Sequence, residues 1–190
     1  MRDLVWLTPM LSWEPYTTLR QMALDKKTSA LQGITDEQKA HIAACLALDT
    51  GKPLLIVTHS DVRAGEMEET VGALLGEGVM RLPERPLLFY GDSAHSTEIT
   101  AKRLSVLDAL AFYQGEGPLV VIASAEGCLY PLSPVEAYRD AVLSVAMGAE
   151  YDIRELMARL VSMGYVREAM VEGPGQFSLR GGLLDIYPLA

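Results

Sequence analysis

Gly33-Ile34-Thr35-Asp36-Glu37-Gln38-Lys39-Ala40 has the outline of a phosphate-binding loop. The template G-x-x-x-x-G-K-[ST] needs a second glycine so that backbone N–H groups can curl round phosphates. It also needs a lysine that reaches the outer phosphates and a hydroxyl that holds Mg²⁺. Gly33 and Lys39 stand at the required spacing, but Gln38 replaces the second glycine and Ala40 the hydroxyl residue. Gln38 brings a β-carbon into the turn, and Ala40 has no oxygen to offer a metal. Asp36 and Glu37 add negative charge where a triphosphate would lie, and at a helix N-terminus carboxylates satisfy the dipole themselves. The stretch reads as a degenerate P-loop with no nucleotide. On this motif alone the better reading is an ordinary capped helix start unrelated to any such loop.

Other chemistry-bearing residues are sparser. His41 and Cys45 are four apart on a predicted helix, a spacing that metal ligands use, but no second pair follows at zinc-site spacing. We therefore expect no metal. His59 and His95 follow a strand and lie in a loop respectively, where α/β sheets bind ligands or simply carry polar surface. Ser124 has no basic partner in a recognisable nucleophile motif, and no catalytic residue is assigned. Glu84 and Arg85, between two prolines, read as a salt-bridged loop or a partner contact. Glu66, Glu68 and Glu69 read as a solvated helix face, and the nine methionines as core filler.

The chain has 190 residues, 49% of them apolar, which is enough for a real core and too many for disorder. With 16 Lys and Arg against 25 Asp and Glu, the net charge is −9, so tight autonomous binding to a nucleic-acid backbone is disfavoured. The two cysteines, Cys45 and Cys128, suit a reducing compartment better than a disulfide framework. No apolar run approaches a membrane span, and the start lacks signal-peptide features, so a cytoplasmic location is expected.

The elements that must position these residues follow from periodicity. A short helix is expected near Pro15–Leu24, and Ser29–Gln32 as a possible first strand. Thr35–Thr50 is the clearest helix, opened by a capping box between Thr35 and Gln38, carrying Ile42, Cys45, Leu46 and Asp49 on one face, and stopped by Gly51. Leu54–Thr58 and Leu119–Ala123 are apolar runs expected as parallel strands buried on both faces. Asp61–Leu75 is a helix with Val71, Leu74 and Leu75 inward, and Val79–Leu82 a short strand. Thr97–Tyr113 is a helix whose stripe is Ile99, Val106, Leu107 and Leu110. Beyond Pro131 and Pro134 the texture changes. Ala141–Ala146, Tyr165–Val171, Gln176–Leu179 and Leu183–Tyr187 are expected as strands, with a helix over Asp152–Met163 and a turn at Gly173-Pro174-Gly175. The pattern implies an α/β domain over 1–139 and part of a small α+β domain over 140–190. The apolar strand close to Ala190 suggests a fragment of a longer protein.

Several segments together resemble one family. They include Pro53–Thr58, the Pro-Glu-Arg-Pro-Leu-Leu-Phe-Tyr stretch at 83–90, Arg103–Leu107, Val121–Ala125, and Phe-Ser-Leu-Arg-Gly-Gly-Leu-Leu-Asp-Ile-Tyr-Pro at 177–188. The chain resembles the N-terminal, UvrB-like module of the bacterial transcription-repair coupling factors, the Mfd translocases. Two departures set it apart from UvrB proper. The P-loop is degenerate, and the short Gly91–Ser96 loop stands where UvrB has a long aromatic hairpin insertion.

The resemblance implies a RecA-like fold without ATP, and a non-catalytic module that recruits UvrA to stalled RNA polymerase in nucleotide excision repair. Carried over position by position, the UvrA contacts fall on Arg167, Arg180 and Tyr187, the last departing from the family's usual Phe. No cofactor is expected in this fragment. The parent motor would use ATP and Mg, contact this module within the chain, and meet RNA polymerase and DNA through other domains. The competing expectation is a UvrB-type ATP-dependent DNA-binding repair enzyme with an atypical nucleotide loop.

Overall fold

The computed structural model describes residues 5–85 and 97–189. Thus Pro86–Tyr90, the Gly91–Ser96 loop and His95 lie outside the described residues. The chain divides into two compact units. One holds the residues up to Glu84 with Tyr113–Leu129, and the other Arg85–Phe112 with the residues from Tyr130 onward.

The first unit runs α1 (Thr8–Leu11), α2 (Glu14–Leu24), α3 (Asp36–Thr50), β1 (Leu54–Thr58), α4 (Asp61–Leu75), β2 (Val79–Leu82) and, after the excursion into the second unit, β3 (Val120–Ser124). Its three strands form a parallel sheet in the order β1-β3-β2. The chain is therefore mixed α/β with a parallel sheet, as its alternating pattern predicts. The central strand β3 is buried at every residue. β1 is an edge strand, and it departs from expectation: Leu55 and Val57 are 58% and 54% exposed, so one of its faces is open. An apolar run reports low polarity, and an edge position decides how much of it is covered. Ser29–Gln32 forms no strand; its residues lie exposed in an irregular segment.

α3 is buried on two sides. Ala40, Ala44 and Ala47 pack into a cluster with Ala64, Met67 and Val71 of α4 and Val120 and Ile122 of β3. Small side chains let the two helices approach closely. The predicted stripe faces α2, where Ile42 and Cys45 are buried. There the Tyr16 hydroxyl donates to Asp49 at 3.2 Å and Arg20 pairs with the same carboxylate at 2.6 Å. Burial, then the Asp49 charge, push the Cys45 thiol up to about 11.

The second unit contains α5 (Thr97–Ala111), α6 (Val135–Ala141), α7 (Ile153–Ser162) and strands β4 (Val166–Arg167), β5 (Gln176–Arg180) and β6 (Leu183–Tyr187). α5 buries Val106 and also Arg103, while Leu110 of its predicted stripe is 42% exposed. Ala141–Ala146 is not a strand. Ala141 ends α6, which starts after Pro134, and the following apolar residues find no ladder partner. The predicted strand over Tyr165–Val171 shrinks to two residues, paired parallel to β5. β5 and β6 form an antiparallel hairpin closed by Gly181 and Gly182, at φ 63° and 130°. Both φ values lie in the region that suits glycine, so the two-residue turn is accessible here. α7 opens on Asp152, whose carboxylate accepts from the N–H groups of Arg154 and Glu155. Leu160 of α7 and Phe177 of β5 are, with Val106, the most buried large apolar side chains of this unit.

Candidate functional site

Two places gather the singled-out residues. The first is the start of α3. Thr35 is the N-cap and both arms of the capping box form. The Gln38 side chain accepts from the Thr35 N–H at 2.8 Å, and the Thr35 hydroxyl accepts from the Gln38 N–H at 3.4 Å. Gly33 has φ 71° in the lead-in, and Ala40 is fully buried in the α3–α4 cluster. Lys39 Nζ pairs with Asp36 at 2.9 Å, and Arg63 of α4 pairs with the other oxygen of Asp36. Arg63 also binds Glu66 at 2.5 Å. Lys39 donating to it, then Arg63, hold the Asp36 carboxyl below its usual range. Glu37 is lowered too, first by a hydrogen bond from its own backbone and then by Thr35.

Asp36, Lys39 and Arg63 border an open cleft of about 360 Å³ at the C-terminal end of β1, which His59 also lines. Both cations of the cleft are matched by carboxylates. Chemically it is a closed set of charges at a helix start, not a row of free N–H donors. His41 lies on another side of α3, near Trp13 and Ile34, with its Nε2 3.2 Å from the Trp6 carbonyl. At the end of β3, Ser124 donates to Glu84 at 2.5 Å and accepts from the Gly127 N–H at 3.0 Å. Glu84 thus makes a hydrogen bond within the fold, which is neither the expected salt bridge nor a partner contact. Arg85 lies with its guanidinium 5.7 Å from the Tyr130 ring centre. Glu66 and Glu68 pair with Arg63 and Arg81, so part of the predicted solvated face is bound up in ion pairs.

The second place is the β4-β5-β6 sheet. Residues alternate between faces along a strand, and registered partners share a face. The register sets Val166 beside Gln176 and Tyr187, Ser178 beside Asp185, and Arg180 beside Leu183. Those residues make one face, and Phe177, Leu179, Leu184 and Ile186 make the other. The Phe177 face is the inner one. On the outer face Leu183, Val166 and Tyr187 are 62%, 56% and 47% exposed. Arg180 is exposed and donates to Asp185 at 2.5 Å. Arg180 and Tyr187 therefore share a face. Arg167 is exposed on the edge strand β4, but its register with Phe177 assigns it to the opposite face.

Sequence reasoning missed Arg63 and Asp185. Arg63 stands in the first turn of α4, four residues before Met67, and nothing local marks it as a partner of Asp36. Asp185 was available from the turn. A two-residue Gly-Gly hairpin sets Arg180 opposite Leu183, which makes Asp185 its diagonal neighbour.

Residues 143–190 match the family model of the UvrB interaction domain. The transcription-repair-coupling factor of Bacillus subtilis (strain 168) is 34% identical over 164 residues, which is 86% of this chain and 14% of that protein. The Staphylococcus epidermidis protein of the same name is 33% identical over 158 residues, 83% of this chain and 13% of the relative. That of Staphylococcus aureus is 26% identical over 184 residues, 96% and 16% respectively. The chain thus spans about a seventh of the length of these relatives. Over most of its length the chain is similar to a segment of the transcription-repair-coupling factors, and its residues 143–190 match the model of the UvrB interaction domain.

Proposed function

We propose that this chain is a non-catalytic docking module that captures UvrA, bringing it to stalled RNA polymerase as part of a longer coupling factor. The observation that carries the reading is the outer face of β5 and β6. It lies inside the matched UvrB interaction domain and presents Arg180 and Tyr187 to solvent together. Arginine and tyrosine are the residue types most often found at interface hot spots. Arg167 joins the site from the β4 edge, so the partner would wrap that edge. The docking region corresponds to residues 140–190, and residues 1–139 act as its scaffold.

In this reading the scaffold is a RecA-like sheet whose P-loop has become degenerate. Its helix start is occupied by Thr35, Asp36 and Gln38, and Lys39 is engaged with Asp36 instead of a phosphate. ATP and Mg would serve the motor elsewhere in the parent protein, which works in the cytoplasm and meets DNA and RNA polymerase through other domains.

The test is capture of purified UvrA by the 190-residue chain. Arg180→Glu is expected to weaken capture at least about a hundredfold while leaving the circular-dichroism spectrum unchanged. Undiminished capture would remove Arg180 from the site. A parallel Mg-ATP titration is expected to give no binding tighter than about 100 μM. Tighter binding that is lost in Lys39→Ala would favour a UvrB-type ATP-dependent enzyme instead.

A further inference from the structure

We infer that Asp185 is a positioning residue of the docking face: it holds the Arg180 guanidinium across β5 and β6, so that the partner meets a matched pair of charges in place of a loose cation. This rests on the docking reading above. The pair is diagonal on the outer face, since Arg180 is registered with Leu183 and Asp185 with Ser178. Its contact is Nη2 to Oδ2 at 2.5 Å, with the two side chains 55% and 33% exposed. Ser178, which stands beside Asp185, gives its hydroxyl to the Ala169 carbonyl at 3.0 Å. The strand pair beneath is fixed by the tight Gly181-Gly182 turn.

A guanidinium has five N–H donors in a planar fork, and this contact uses one of its nitrogens. A second carboxylate can dock on the remaining edge with good geometry. An arginine left to itself samples many rotamers, and binding must freeze it. With Asp185 in place that freezing is largely done beforehand. Asp185 also tells against a partner that brings negative charge alone, because its own carboxylate would repel such a patch. The partner surface it fits is a carboxylate for Arg180 set beside an N–H donor or cation for Asp185. Apolar side chains on that surface would cover Leu183 and Tyr187, both exposed here.

The experiment measures affinity of purified UvrA for the full 190-residue chain at low and high salt. Asp185→Asn is expected to weaken capture about three- to tenfold, the size of one side-chain ordering cost. It should also steepen the salt dependence, because Arg180 then acts as an uncompensated cation. Asp185→Glu should recover part of the affinity. The melting temperature should move by no more than about 3 °C, since exposed ion pairs add little to stability. Unchanged or tighter capture by Asp185→Asn, while Arg180→Glu still abolishes it, overturns this inference and leaves the docking reading standing. Undiminished capture by Arg180→Glu removes Arg180 from the site and overturns this inference with it, whereas no capture of UvrA by the native chain overturns the docking reading itself.

Discussion

The start of α3 and the outer face of the β5–β6 hairpin carry similar side chains and use them in opposite ways. At α3, Lys39 and Arg63 converge on Asp36, Arg63 also engages Glu66, and the capping box occupies the helix end. The donors that would attract an anion are consumed within the fold. At the hairpin, Arg180 meets a carboxylate as well, but the contact lies on the outer strand face with Leu183 and Tyr187 exposed, although Ser178 beside Asp185 is buried. A helix end concentrates orphan N–H groups in one place, so a few local side chains can saturate it. A sheet face has its backbone groups paired in the ladder, and its side chains remain available to a partner.

The largest effect that would sharpen this division is in the scaffold. Gly78 has φ 75°, and a β-carbon built there would lie 1.9 Å from the Pro118 carbonyl oxygen. The Gly78 carbonyl also accepts from the Val120 N–H at 2.7 Å, tying the entry of β2 to β3. Gly78→Ala should cost about 1–2 kcal/mol for the left-handed backbone. Overpacking should add about 1–3 kcal/mol. The expected outcome is a clear fall in melting temperature with UvrA capture retained below it. Capture lost while the amides of Phe177 and Ser178 stay protected from exchange would break the proposed division between scaffold and docking face.

Much of the architecture was legible because it is written locally. The capping box at Thr35 and Gln38 appears with both of its hydrogen bonds, and Gly51 stops the helix at φ 61°. The bounds of the helix at Asp61–Leu75 and the strand at Val79–Leu82 need only apolar spacing and turn residues. What local pattern could not supply was coverage and pairing. Leu55 and Val57 are as apolar as Val121 and Ala123, yet only the latter pair sits in the central strand. Ala141–Ala146 is apolar enough for a strand, but a strand also needs an edge to pair with, and that is a property of the whole fold. The same holds for charges. Lys39 with Asp36 is a local i,i+3 pair, whereas Arg63 reaches Asp36 from another helix and leaves no mark in the spacing.

The smallest expected effect bears on whether the α3 start is truly closed. The Asp36 carboxyl is held below its ordinary value of 3.8, first by the hydrogen bond from Lys39 and then by Arg63. A carboxyl whose folded value is depressed adds stability that is present above the unfolded value. That stability is lost as pH falls through the folded one. Asp36→Asn should therefore melt slightly lower than the native chain at neutral pH, and the gap should close as the pH is taken from about 5 to about 2. The difference will be small, since the group is exposed and Glu37, also depressed, retains its own share of the acid limb. A variant whose acid limb matches the native one would mean that Asp36 is not engaging Lys39 and Arg63 in solution. Lys39 would then face the cleft unneutralised, with Arg63 held by Glu66 alone, and the helix start would resemble the hairpin face, open to an anionic ligand, instead of contrasting with it.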